Sequence, residues 1–310
     1  MAQRFQLQTT PNSGCSKGCN KDKRRKTTQE DLCVVTSSNM DNLPIRCVGS
    51  WAPQKIYLIT QYLGIFAHGM AKKWEGNINY IEICSGPGRC VDRSNGMEFD
   101  GTALSIIKNE YFKLLNRALF FDYNEKVVST LNERIKKLNV NNAKAIVGDY
   151  YDAEAICATL KTEIPRRGLN LVLIDPTDCS VPFHLIEAIK RTMSNVDFVI
   201  NMAIGTDFNR NIANILRSPA SYAEVKNKYV KFLGNDYLFQ KIDQSMSPQI
   251  LRGYFRDEYQ NSLRNIGYEH FRVHPIECYY DIIFASSHIR GLDFWDKATR
   301  LSYDGQASLF

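Results

Sequence analysis

The sequence predicts an α/β protein with a doubly wound, mainly parallel sheet that closes in a C-terminal antiparallel hairpin. Three observations predict it. From Pro53 onward, short apolar runs alternate with stretches of helical period; one of these runs ends in an acid followed by a Gly-Pro-Gly turn; and the last two runs stand too close together for a helical crossover.

The elements follow in order. Ile56, Ile59, Leu63, Phe66 and Met70 recur at three- and four-residue spacing, which predicts an amphipathic helix over residues 54–73. After the breakers Gly76 and Asn77, the run from Ile78 to Cys84 reads as a strand buried on both faces. Residues 92–101 read as an irregular insertion, a lid over the turn before it. Strands are expected at 118–121, 144–147, 169–174 and 196–202, with helices at 125–137, 152–161 and 182–193 between them. A further helix over 248–265 stops at Gly267, and strands at 269–275 and 279–286 must then pair as antiparallel neighbours. A helical insertion near 205–265 precedes that hairpin. Five alternating strands closed by a late hairpin is the layout of the Rossmann-like class I methyltransferase fold, whereas a nicotinamide-binding domain would continue with parallel units.

Composition narrows the function classes. Of the 310 residues, 44% are hydrophobic and 23% charged, an ordinary globular balance. No apolar run is long enough to span a bilayer, so no membrane association is expected. The opening Met1-Ala2-Gln3-Arg4-Phe5-Gln6 lacks the apolar core of a secretory signal, and nine irregularly spaced cysteines do not form a disulfide framework. Both point to a reducing cytoplasm. The net charge of +6 favours an anionic partner such as nucleic acid.

Part of that charge sits in Lys17, Lys21, Lys23, Arg24, Arg25 and Lys26, within a polar opening without hydrophobic period. Residues 1–45 are therefore expected as a flexible, basic, cysteine-containing extension and residues 46–310 as the α/β domain. Cys15, Cys19, Cys33 and Cys47 offer four thiols, but only the first two are spaced as a zinc knuckle, and no third cysteine follows closely enough for a radical-type iron–sulfur cluster. No metal site is expected.

The chemistry concentrates at Glu82-Ile83-Cys84-Ser85-Gly86-Pro87-Gly88-Arg89. Gly86 and Gly88 let the backbone take positive φ and approach a ligand, and Glu82 can accept hydrogen bonds from a hydroxyl or cationic group. The spacing follows the acid-x-Gly-x-Gly-x-Gly loop of class I S-adenosylmethionine (SAM) methyltransferases, with Cys84 in place of the first glycine. Ligands of open α/β sheets bind beyond the carboxyl ends of strands, and there this chain is acidic four times: Glu82, Asp122, Asp149 and Asp175. Each has a structural alternative. An Asp ahead of a helix is commonly an N-cap, and Asp175 before Pro176 reads as a cap with proline in the first turn. As a set they suit a ligand better: Asp122 for ribose hydroxyls, Asp149 for the adenine amino group and Asp175 for the acceptor. Glu82, Ser85, Gly86, Pro87, Gly88, Asp122 and Asp149 are the candidate cofactor residues.

Several blocks in order resemble a known family. Arg46 to Trp51, the Lys55 to Phe66 helix, Asn79 to Arg89, Asp100-Gly101, Val147-Gly148-Asp149, Leu173 to Thr177, Tyr279 to His288, Gly291 and Phe294-Trp295 are similar to the three-Cys-motif partner proteins. The resemblance spans most of the chain. It implies a class I methyltransferase-like fold, SAM binding, methyl transfer, and association with a separate three-cysteine, radical-SAM-like protein. Two departures stand out. The family tends to have Gly-Asp-Cys-Asn where this chain has Gly148-Asp149-Tyr150-Tyr151, and glycine where Asp178 follows Asp175-Pro176-Thr177.

Methyl transfer from a sulfonium needs in-line alignment and, for a poor nucleophile, removal of a proton. Asp175 is the candidate catalytic residue for orienting or deprotonating the acceptor. Base-amine methyltransferases commonly carry a second proline and an aromatic ring at this place, and neither follows Pro176. His184 reads as an ordinary helix residue, and Arg210 as either a phosphate contact or a solvated arginine. Three function classes stay open: a SAM-dependent methyltransferase, a non-catalytic partner that keeps the fold, and a metal-dependent nuclease built on Glu82, Asp175 and Asp178.

Overall fold

The computed structural model describes residues 5–15, 28–29 and 32–300. Lys17 to Lys26 and Cys19, singled out above, lie outside the described residues. The chain forms two compact units, residues 1–148 with 294–310, and residues 149–293.

The first unit begins with three short strands, β1 (Thr9–Pro11), β2 (Thr28–Gln29) and β3 (Leu32–Cys33), followed by β4 (Arg46–Val48). Helix α1 (Ala52–Met70) starts with Pro53 in its first turn, where a missing N–H costs nothing, and buries an apolar stripe through Ile56, Ile59, Leu63 and Phe66. On the same helix Tyr62 meets Trp295 with ring centroids 5.1 Å apart. Strand β5 (Ile78–Ile83) is buried along its whole length, as a central strand of an α/β sheet must be. It pairs in parallel with β8 (Arg117–Asp122), and β8 pairs in parallel with β9 (Ala143–Val147). Helix α3 (Glu125–Lys137) crosses between them, and α2 (Thr102–Ile107) lies earlier in the chain.

The expected irregular insertion is a β-hairpin. β6 (Arg89–Asp92) and β7 (Met97–Asp100) pair antiparallel and join a second sheet of order β1-β7-β6-β4. Its charges hid it, because Arg89, Asp92, Glu98 and Asp100 within four-residue runs read as loop. In the fold Arg89 pairs with two of those acids: its Nε lies 2.6 Å from Glu98, whose side chain is fully buried, and its Nη1 lies 2.6 Å from Asp100. Glu98 also accepts from Asn12 Nδ2 and the Asn39 N–H at 2.9 Å each, and from the Ser38 hydroxyl. The described part of residues 1–45 thus supplies strand β1 against β7 and polar groups to a buried carboxylate.

The second unit carries α4 (Ala153–Glu163), β10 (Leu169–Ile174), α5 (Phe183–Thr192) and β11 (Val196–Met202), with β10 and β11 parallel. A π-helical turn (Ile204–Phe208) leads into α6 (Asn209–Arg217), α7 (Ala223–Leu233), α8 (Leu238–Lys241) and α9 (Pro248–Asn265). This helical region is glued by aromatic rings. Phe208 stacks on Phe255 at 4.0 Å and Phe232 on Tyr259 at 4.7 Å, pairs that contribute about 1 kcal/mol each beyond their burial. Ser247 caps α9 by accepting the Ile250 N–H, with Pro248 in the first turn. Strands β12 (His270–Ile276) and β13 (Tyr280–Ser286) form the expected hairpin, β13 lying antiparallel to β11. Helix α10 (Ile289–Thr299) follows. The fold class read from the sequence, α/β with a mainly parallel sheet and a closing antiparallel hairpin, is the one observed. Among the described residues no helix is long and apolar enough to cross a membrane.

Candidate functional site

The end of β5 is built from buried acid and left-handed backbone. Glu82 is 1% exposed and accepts a hydrogen bond at 3.0 Å from Tyr80, two residues earlier on the same face. The chain then takes positive φ at Cys84 (67°), Gly86 (66°) and Gly88 (92°). Cys84 therefore occupies the conformation the loop pattern reserves for its first glycine, at a cost of about 1 kcal/mol for the β-carbon. At Gly88 the reason for glycine is space: a β-carbon would stand 2.9 Å from Leu131 and 3.0 Å from Leu104. At Gly86 it would meet only the Arg46 side chain, at 3.5 Å, so that residue is needed for its φ alone.

Asp122, at the end of β8, ties this loop to its own strand. One carboxylate oxygen accepts the Gly86 N–H at 3.1 Å and the other accepts the Asn124 N–H at 3.2 Å. The Ser85 N–H donates to the Phe121 carbonyl at 3.0 Å. Asp122 is not the cap of α3. Asn124 takes that part, accepting from Lys126 and Val127. The loop also leaves a polar group unanswered, since the Ser85 hydroxyl is buried without a hydrogen-bond partner. Such a group costs about 1–3 kcal/mol unless something outside the chain satisfies it. Two buried acids, two left-handed glycines and an orphaned hydroxyl fit an adenosyl ligand that carries hydroxyl donors and a positive charge.

Arg134 was not legible as part of this region. Its side chain is 2% exposed and its guanidinium grips Asp41, the carbonyls of Leu43 and Pro44, and the Pro87 carbonyl inside the glycine turn. The signal was available: Arg134 falls on the apolar stripe of Val127, Leu131 and Ile135, where a charge must have a buried partner. Burial works to raise the Asp41 carboxyl, but hydrogen bonds from Arg134 and the Leu43 N–H, with the Arg134 charge, outweigh it and hold it below the usual range.

Asp149 and Asp175 belong to the second unit. Asp149 is exposed and accepts the Tyr151 N–H at 2.9 Å, while Asp152 caps α4 by accepting from Ala155. Asp175 is no helix cap either. Helix α5 begins eight residues later, with Pro182 at its N-cap, and Asp175 instead accepts a 2.9 Å hydrogen bond from Asn201. Asn201 is fully buried on β11 and also donates to the Pro176 carbonyl at 3.1 Å. A lone amide inside the apolar run Phe198-Val199-Ile200-Asn201-Met202 was its signal.

The loop after Asp175 is organised by Asp207, on the π-helical turn. Its carboxylate accepts from the Cys179 N–H (2.8 Å), Lys228 (2.6 Å), Asn211 (2.9 Å) and Tyr229 (3.0 Å). Lys228 also reaches Asp178 at 3.4 Å. Burial and the Asp207 charge push the Cys179 thiol well up, so it stays protonated and is no nucleophile. Tyr150 and Ser180 share a 3.0 Å hydrogen bond. His184 and Arg210 are exposed on their helices. Among the described residues, no three His, Cys, Asp or Glu side chains gather to hold a metal ion.

No known family's sequence model matches this chain, and no curated protein matches it. Solved structures similar to it include a fibrillarin/Nop5p complex, with 10% identity, 83% of this chain and 97% of that one covered, and a TM-score of 0.40. A SAM-dependent methyltransferase from Aquifex aeolicus is similar at 14% identity, 76% and 98% coverage, and a TM-score of 0.37. The magnesium protoporphyrin IX methyltransferase ChlM from Synechocystis PCC 6803, solved with bound SAH, is similar at 12% identity, 77% and 84% coverage, and a TM-score of 0.40.

Proposed function

We propose that this chain is a SAM-dependent methyltransferase. The observation that carries the reading is the loop after β5, where left-handed Cys84, Gly86 and Gly88 surround a buried, unpartnered Ser85 hydroxyl and Asp122 holds the Gly86 N–H. In this reading Glu82, the Ser85-Gly86-Pro87-Gly88 turn and Asp122 hold the cofactor, and Asp149 serves the adenine amino group. The cofactor, when bound, supplies an electrophilic methyl group on a sulfonium.

Asp175 orients the acceptor and takes its proton when the nucleophile is a weak one. Asn201 fixes the carboxylate for that work through its 2.9 Å hydrogen bond. Nucleic acid is the acceptor class we favour, on the net charge of +6, and the resemblance adds a three-Cys-motif, radical-SAM-like protein as partner. The irregular spacing of the cysteines suits a reducing compartment.

Titration calorimetry with SAM tests the cofactor assignment. Wild-type protein should bind, and Asp122→Ala should weaken binding at least tenfold; no binding at millimolar SAM would remove the assignment. Radiolabelled methyl transfer to total RNA, DNA and protein then tests activity. Asp175→Ala should abolish transfer while retaining SAM. Binding without transfer to any pool would favour the non-catalytic partner instead.

A further inference from the structure

The glycine turn is gripped from the N-terminal side of the chain through one side chain. Arg134 projects from α3 and is almost fully buried, yet every N–H of its guanidinium has an acceptor. Nε and Nη2 form a two-point fork with the Asp41 carboxylate at 2.8 and 3.0 Å. Nη2 also donates to the Leu43 carbonyl at 3.3 Å. Nη1 divides between two segments far apart in sequence, the Pro44 carbonyl at 2.9 Å and the Pro87 carbonyl at 2.5 Å. Pro87 sits between Gly86 and Gly88 and has no N–H of its own, so its carbonyl is its one hydrogen-bonding handle.

The segment at the other end of this grip is itself fixed. Asn42 takes positive φ, its N–H donates to the Ser38 carbonyl at 2.9 Å, and the Ser38 N–H returns to the Leu43 carbonyl at 2.9 Å. The Leu43 N–H donates to Asp41 at 3.0 Å. The Ser38 hydroxyl in turn binds Glu98, which pairs with Arg89, the residue directly after Gly88. Residues 38–44 are therefore joined to both flanks of the glycine turn, once through Arg134 to Pro87 and once through Glu98 to Arg89.

We propose that Arg134 is a positioning residue: with Asp41 it makes residues 41–44 part of the support that sets the shape of the Ser85–Gly88 turn, and so tunes cofactor affinity without touching the cofactor. The affinity part rests on the SAM assignment; the shape part stands without it. Only a guanidinium satisfies the arrangement, because a lysine ammonium, with three N–H donors, cannot fork onto Asp41 and also reach three carbonyls.

Two measurements on the full chain separate the parts. In ligand-free protein, amide exchange at Ser85, Gly86 and Gly101, whose N–H groups bond Phe121, Asp122 and Gly88, should accelerate at least fivefold in Asp41→Asn and in Arg134→Lys. The Ala118 amide, bonded to Asn142, serves as the reference and should hold its rate. Asp41→Glu, which keeps the carboxylate, should return the loop amides toward wild type. Unchanged loop amides in folded Asp41→Asn would overturn the coupling, whether or not SAM binds. If wild type binds SAM, calorimetry should show about tenfold weaker binding in Asp41→Asn and recovery in Asp41→Glu. Equal affinities beside altered exchange would confine the support to the free loop and overturn its role in affinity. Absence of SAM binding in wild type would sink the cofactor assignment and leave the exchange result to decide the coupling.

Discussion

The turn after β5 and the loop after β10 both end apolar strands in an acid or near one, yet they are held by different means. The first is shaped by backbone: three left-handed residues, amides donated to Asp122 and Phe121, and a carbonyl given to Arg134. The second is shaped by side chains from later in the chain, with Asn201 on Asp175 and Asp207 collecting the Cys179 amide, Lys228, Asn211 and Tyr229. A backbone-shaped turn tolerates little added bulk, whereas a side-chain-shaped loop depends on the survival of a few remote partners.

The contrast predicts where each region breaks. Gly88→Ala should cost the most, about 3 kcal/mol in urea unfolding, from positive φ and the crowding by Leu131 and Leu104. Gly86→Ala, with only Arg46 nearby, should cost about 1 kcal/mol, and equal losses at the two positions would dispose of the crowding account. In the second loop, Asp207→Ala should destabilise by about 2 kcal/mol, since it removes the acceptor of the Cys179 amide and leaves Lys228 its longer contact with Asp178. Adding Lys228→Met should recover part of that loss; strict additivity of the two changes would mean that no coupled pair exists. The smallest effect sharpens the first case. Cys84→Gly should stabilise the protein by about 1 kcal/mol by relieving the left-handed β-carbon, and a loss on thermal melting would show that the thiol contributes packing instead.

These differences also decide what was legible in advance. Gly86 and Gly88 announce backbone conformation by their identity, and the alternation of apolar runs fixes strands, helices and the closing hairpin almost to the residue. Asp122 and Asp175 could be placed at strand ends but not freed from the N-cap reading, because capping is decided by where the helix starts. Asn124 two residues after one, and Pro182 seven residues after the other, settle it. The β6–β7 hairpin does not show in the sequence because its buried carboxylate, Glu98, draws hydrogen bonds from Asn12 and Ser38, outside the local window. Arg134, Asn201 and Lys228 each break an apolar or ordinary surface pattern, but their partners lie 93, 26 and 21 residues away for Asp41, Asp175 and Asp207, beyond any periodicity.

The π-helical turn at Ile204–Phe208 carries a lesson about chain length. The Phe208 N–H reaches back five residues to the Ala203 carbonyl, so this turn holds one residue more than an α-helical turn would. Removing Gly205 or Thr206 would turn Asp207 by about 100° relative to the residues before it, the angle one residue occupies in an α-helix. Asp207 would swing off the Cys179 amide without any change in its own chemistry. The spacing of this segment is therefore as much a part of the loop's specification as its acids, and a relative lacking that extra residue would need a different anchor for its β10 loop.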